Sequence, residues 1–128
     1  MSYVFSKTVA GSFDQAIARV TEKLSEEGFG ILTEIDVQAT LKKKLDVDFR
    51  KYRILGACNP TFALRALQAE AHIGAMLPCN VIVQEHEDGR VEVAAVDPIA
   101  SMQAIDNADL VDIAIQVRGK LRQVIDSL

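Results

Sequence analysis

Several residue types are scarce in this chain of 128 residues. Tryptophan is absent and aromatic residues make up 5%, so the core must be built mainly from Leu, Ile, Val and Ala. Only two cysteines are present. A chain of this length can bury a real core, so it needs no disulfide or metal for stability. In a cytoplasmic protein both cysteines are expected to be reduced thiols.

Positive charge and long apolar runs are also scarce. The formal net charge is -4, and the run Lys42-Lys43-Lys44 is the one basic cluster. Phosphate binding needs several converging cations, so no nucleic-acid partner is predicted. No apolar run approaches the roughly 20 residues that span a bilayer, and the N-terminus lacks the pattern of a secretory signal. We therefore predict one cytoplasmic domain over residues 1–128, with no membrane partner.

Apolar side chains, in contrast, are abundant. They make up 49% of the chain, which is more than a small domain can easily bury by itself. This excess predicts that two copies of the chain cover part of it in a homodimer.

Strand and helix patterns alternate along the chain. Strand patterns lie at residues 3–9, 29–35, 52–58, 79–85 and 91–96, and helical patterns at residues 12–28, 36–45, 60–71 and 108–127. The helices have recognisable start signals. Ser12 and Gln15 form a capping-box pattern, Asp36 can cap the second helix, and Asn59 precedes Pro60 as an N-cap residue before a proline at the first helical position.

The order of these elements predicts the fold class. Asp88-Gly89 is a strong hairpin signal between the last two strands, which breaks an otherwise regular alternation of strands and helices. Such a chain is typical of the α+β class, with an antiparallel or mixed sheet and helices packed mainly on one face. The last helix has the clearest core-facing stripe, which consists of Leu110, Ile113, Val117, Leu121 and Val124.

The two cysteines stand in similar local settings. Residues 52–60 read YRILGACNP and residues 77–81 read LPCNV, so Cys58 and Cys79 are each followed by asparagine and lie close to a proline. Each lies at the end of a predicted strand. If the two strands are antiparallel, the thiols fall at the same end of the sheet; if they are parallel neighbours, they fall at opposite ends. The sequence alone leaves both arrangements open.

This pattern gives one candidate site. We predict that Cys58, Asn59, Cys79 and Asn80 gather at a sheet end, with Glu34 or Asp36 nearby. The free N–H groups at the start of the helix after Cys58 could lower the pKa of a thiol or hold an anion. A small-molecule or anion ligand is one interpretation, and a thiol-dependent enzyme or redox or metal sensor is the alternative. In the simplest interpretation both cysteines are apolar core residues.

Other chemistry has little support in the sequence. Zinc accepts ligands of the types found at Cys58, His72, Cys79 and His86. Their spacing, C-x13-H-x6-C-x6-H, lacks the closely spaced ligand pairs that are typical of structural zinc sites. A Cys-x-x-Cys motif and the common nucleotide and hydrolase motifs are absent. We therefore predict no metal and no cofactor, and whether the protein is an enzyme stays undecided.

Taken together, these segments resemble a known family. Five segments occur in the order found in the family called domain of unknown function 302. They are GFGILTEIDV at residues 28–37, YRILGACNP, LPCNV, the Asp-Gly hairpin and Asp97-Pro98. The resemblance covers nearly the whole chain. It implies a small α+β domain related in shape to the TATA-binding-protein-like fold, usually dimeric, and it implies no established activity.

Overall fold

A computed structural model describes residues 2–128 of the chain. Within this range five strands form one sheet, and their bounds are β1 Val4–Val9, β2 Gly30–Asp36, β3 Tyr52–Cys58, β4 Cys79–Glu85 and β5 Val91–Val96. The α-helices are α1 Phe13–Glu26, α2 Val37–Leu45, α3 Pro60–Ala69, α4 Pro98–Ser101 and α5 Ala108–Asp126, and a short 3-10 helix covers Ile73–Met76. In the described range, no helix has the length and apolar character needed to cross a membrane.

The sheet has the order β1-β5-β4-β3-β2, and each neighbouring pair is antiparallel. This arrangement confirms the predicted α+β class and settles the choice between an antiparallel and a mixed sheet. Because β1 and β2 are the two edge strands, α1 has to cross the sheet to connect them. It contacts β2, β4 and β5 on the way, so it covers the centre of one face.

The core lies between this face and the helices α1 and α5. Val81, Val83 and Val93 on the central strands are fully buried there, because side chains alternate along a strand and these three share one face. The predicted stripe of α5 packs into the same cluster. All five of its residues are buried: Leu110, Ile113, Val117, Leu121 and Val124.

The predicted helix starts are also present. Ser12 and Gln15 form the reciprocal capping box of α1, and Asp36 accepts a hydrogen bond from Ala39 N at the start of α2. Gly28 ends the first helical segment with a φ of 87°, a left-handed conformation that glycine adopts without strain. These signals act within one turn of chain, which explains why they could be predicted locally.

The opposite face of the sheet carries a second apolar row. Strand pairing places Ile35 beside Ile54, Ile54 beside Ile82, and Ile82 beside Ala94, so the row crosses four strands. These residues lie outside the core cluster. The exposed fraction of Ile35 is 48%. The fold therefore has a buried apolar face against α1 and α5 and a second apolar row on the other side of the sheet.

Candidate functional site

The ends of β3 and β4 bring the two cysteines together. Cys79 at the start of β4 pairs with Ala57, which directly precedes Cys58 at the end of β3. The antiparallel pairing therefore gives the first of the two arrangements that the sequence left open. Within residues 2–128 both cysteines are free thiols; Cys79 is buried and Cys58 is half-buried.

Both cysteines line a small cavity between the sheet end and the helices. Its volume is about 30 Å³, whereas sites for small organic ligands commonly measure about 300–1,000 Å³. A single water occupies roughly 10–15 Å³ on a similar measure. The lining consists of Phe29, Ala57, Cys58, Asn59, Phe62, Ala63, Ala66, Leu77, Pro78, Cys79, Pro98, Met102, Ile113, Ala114 and Val117. The space suits one ion or a few water molecules rather than an organic molecule.

Asn59 occupies the predicted N-cap position of α3, and Pro60 follows at the first turn. The prediction that the Asn59 side chain caps this helix is wrong. Its amide Nδ2 donates instead to the carbonyl oxygen of Glu27, at 3.3 Å, beside Gly28 at the end of α1. Asn59 therefore joins the end of β3 to the end of α1 and stabilises one wall of the cavity.

Burial determines the protonation of Cys79. Loss of solvent, followed by the nearby Cys58, raises the pKa of the Cys79 thiol from 9.0 to about 11. A thiolate is poorly solvated in an apolar cavity, which favours the neutral thiol. At neutral pH Cys79 is therefore a protonated thiol and a weak nucleophile.

The other predicted site residues lie elsewhere. Arg53 Nη1 donates to Glu34 Oε1 at 2.6 Å, and Arg53 Nη2 lies 3.4 Å from Asp36 Oδ2. Asp36 also caps α2, so both carboxylates have structural partners. Asn80 pairs with Gly56 on the strand next to it and is exposed. Of the six predicted residues, the cavity lining in the described chain includes Cys58, Asn59 and Cys79.

The two histidines are also not part of the described cavity lining. The side chain of His72 is 97% exposed beside Glu70, and His86 Nε2 lies 3.2 Å from Glu92 Oε1. Across residues 2–128, no three His, Cys, Asp or Glu side chains form a group able to hold a metal ion.

Sequence reasoning missed one sulfur in the cavity lining. Met102 follows the short helix α4, is half-buried and lines the same cavity as the two cysteines. It lies 23 positions beyond Cys79 in a segment without a clear pattern, so no local signal could have linked it to the cysteines. The fold brings it there because α4 packs against α5 at this end of the molecule.

The comparisons with known proteins agree with this architecture. A sequence profile described as "Domain of unknown function DUF302" matches residues 5–128. No curated protein is significantly similar to the chain. A solved structure, "Crystal structure of uncharacterized conserved protein DUF302 from Bacillus stearothermophilus", is 28% identical, with a TM-score of 0.91 over 98% of both chains. The chain therefore belongs to the DUF302 family.

Proposed function

We propose that this protein is a small interaction module of the cytoplasm that forms a homodimer through the sheet face opposite its core. The observation that carries the proposal is the apolar row of the exposed Ile35 and the half-buried Ile54 and Ile82, which continues to the buried Ala94. Contiguous apolar residues on the surface of a folded domain are typical of interaction sites.

The composition of this face favours a second copy of the chain over nucleic acid. Among the strand residues of the described chain that the register places on it, Glu92 is the single charged side chain. Phosphate binding needs several converging cations, whereas the described strands place none on this face and Arg50 lies at its border. In a two-fold dimer, the patch of one subunit packs against the same patch of its partner. Because this patch is almost uncharged, like charges do not repel each other across the interface.

A polar network borders the row on one side. Arg50 Nε donates to Gln84 Oε1 at 3.0 Å, and Gln84 Nε2 donates to Glu92 Oε1 at 3.1 Å. The Arg50 guanidinium also lies over the rings of Phe49 and Tyr52. An apolar centre with a polar rim is the usual anatomy of a protein interface.

The dimensions of the sheet are compatible with such an interface. Five strands about 4.8 Å apart and about 20 Å long give roughly 480 Å² in projection. Each partner in a standard interface buries about 800 Å² of accessible surface, and accessible area exceeds projected area because side chains stand out from the sheet. One face of this sheet is therefore large enough to provide most of a dimer interface.

Replacement of Ile82 by Asp is expected to convert the dimer to a monomer, because the new carboxylate would be buried near the centre of the interface without a partner. Sedimentation equilibrium at micromolar concentration measures the mass. Leu64→Asp is the matched control, because Leu64 is 58% exposed on α3 and that variant should remain dimeric. Circular dichroism establishes that each variant is folded.

Two results would overturn the proposed interface: a monomeric mass for the wild-type protein, or an unchanged dimer in the Ile82→Asp variant. If Ile82→Asp does not fold, Ile35→Lys provides the same test. Its side chain is already 48% exposed in the single chain, so the change should cost the monomer little.

A second candidate function is sensing through the two thiols, which is favoured by their position in one cavity. Thiol catalysis is less well supported, because a cysteine nucleophile usually needs a histidine base and the lining within residues 2–128 contains neither His72 nor His86. A sensor needs only two sulfur atoms that a ligand or an oxidant can reach. Cys58 is half-buried and provides the more accessible sulfur.

The two thiols are expected to react at different rates. At neutral pH a thiol reagent should modify Cys58 first, whereas Cys79, which is 8% exposed, should react mainly through opening of the fold. The raised pKa acts in the same direction, since the thiolate fraction of Cys79 grows only as the pH rises towards about 11. A Cys58→Ser variant isolates the slow reaction. Equal rates in the single-cysteine variants would contradict this prediction.

A further inference from the structure

A groove lies between the edge strand β1 and the last helix, α5. Its volume is about 400 Å³, which falls in the range of about 300–1,000 Å³ that is common for sites of small organic ligands. None of its lining residues lines the cavity of the two cysteines. The residues that give the groove its chemistry are Phe5 and Ser6 of β1, Asp97, and Arg118, Arg122 and Asp126 of α5.

Phe5 holds both arginines at one place. Its ring is half-buried and packs against the core. The guanidinium carbons Cζ of Arg118 and Arg122 lie 5.3 and 5.0 Å from the centroid of this ring. The face of an aromatic ring attracts a cation, so one fixed side chain positions two positive charges that otherwise repel each other. An anion bound between them would relieve this repulsion.

Most of the hydrogen-bond donors of this pair are available to a ligand. Each guanidinium group has five N–H donors in a rigid fork. Arg118 Nε donates to Asp97 Oδ2 at 3.2 Å, and this is the only hydrogen bond or ion pair that either arginine forms within residues 2–128. Asp97 therefore fixes Arg118 through Nε and leaves its terminal Nη groups available.

The carboxylates of the groove do not neutralise both arginines. Asp97 is buried, and its two oxygens accept from Ile99 N and Arg118 Nε. Asp126 forms no ion pair with either arginine in the described chain. Lys7 Nζ lies 3.2 Å from Asp126 O, which brings a third cation to the same end of α5. The fold thus gathers positive charge from β1 and α5 in a protein whose formal net charge is -4.

We propose that this groove binds a small organic acid, with a carboxylate or phosphate group held between the guanidinium groups of Arg118 and Arg122. The planar guanidinium fork matches the oxygens of both kinds of anion. The Ser6 hydroxyl can donate a further hydrogen bond, and the apolar side chains of Val4 and Ile125 also line the groove and would contact the carbon part of the ligand. This binding activity goes beyond the proposed dimer, whose apolar row it does not use.

The test is an NMR titration of the isotope-labelled protein with inorganic phosphate and, separately, with succinate, both at constant ionic strength. The amide signals of Phe5 and Ser6 should shift and reach saturation with at least one of the two anions. The anion that binds more tightly identifies the ligand as a phosphate or a carboxylate. Arg122→Gln should weaken binding by at least about tenfold, since a hydrogen bond to a charged group commonly contributes that factor or more.

Two further variants separate a local site from a general effect of charge. Arg65→Gln is the matched control, because Arg65 also lies over an aromatic ring, that of Phe62 at 5.5 Å, and its loss changes the net charge equally. This variant should bind like the wild type. Asp126→Asn removes a negative charge from the groove and should tighten binding roughly two- to fivefold, because a charge at the surface acts through water.

Several outcomes would overturn the site. They are an absence of saturation with both anions, the same signal shifts with sodium chloride alone, equal weakening by Arg65→Gln and Arg122→Gln, and weaker binding by Asp126→Asn. If Arg118→Gln fails to fold because it leaves the buried Asp97 without its partner, the Arg122 and Asp126 variants still decide the question. Arg122→Gln should have the same mass as the wild type in sedimentation, since Arg122 lies outside the dimer row. The anion and dimer proposals can therefore fail separately.

Discussion

Replacement of Val117 by Asp is expected to unfold most of the protein. Val117 lies on the buried stripe of α5 and is 7% exposed, so the new carboxylate would enter the core among apolar side chains without a partner. Burial of an unpaired charge is one of the few single changes that cost about 4 kcal/mol or more. Since a domain is stable by only about 5–15 kcal/mol, thermal unfolding should begin at a much lower temperature.

The control for this prediction lies on the same helix. Ile115 is two residues before Val117 but is 54% exposed, so Ile115→Asp places the same charge in solvent at almost the same point of α5. Its melting temperature should stay close to that of the wild type, whereas Val117→Asp should lose roughly 15 °C or more. Similar melting temperatures for the two variants would show that the stripe does not face the core.

Replacement of Gly56 by Ala is expected to have the second-largest effect. Gly56 is buried on β3, and a Cβ atom there would overlap Thr33 Oγ1 on β2 and approach Pro78 Cγ to 2.7 Å. The proline ring is held in the chain and the threonine lies on the neighbouring strand, so the strands must move apart to relieve the contact. Overpacking of this kind costs about 1–3 kcal/mol, which chemical denaturation can measure.

Gly30→Ala is the corresponding control in the neighbouring strand β2. A Cβ atom at Gly30 would meet no heavy atom within 4 Å, and alanine suits a strand better than glycine. The Gly30 variant should therefore be as stable as the wild type or slightly more stable. If both variants lost the same free energy of unfolding, the close approach of β2 and Pro78 to Gly56 would not explain the loss.

Much of the local structure could be predicted from the sequence because its causes are local. The capping box at Ser12 and the cap at Asp36 form within one helical turn. The buried stripe of α5 follows from the helical repeat, which puts residues three and four positions apart on one face. The Asp88-Gly89 turn joins β4 to β5, as its composition predicts. These features required no knowledge of the rest of the fold.

Only the tertiary structure decided which distant residues meet. The sequence left the relative direction of β3 and β4 open, and their antiparallel pairing is what places Cys58 and Cys79 at the same end of the sheet. The same pairing aligns Ile54 with Ile82, and the packing of α4 against α5 brings Met102 into the lining of the cavity that the cysteines also line. Local signals cannot specify such contacts, because strand pairing and helix packing join segments that lie many residues apart and depend on burial in the completed core.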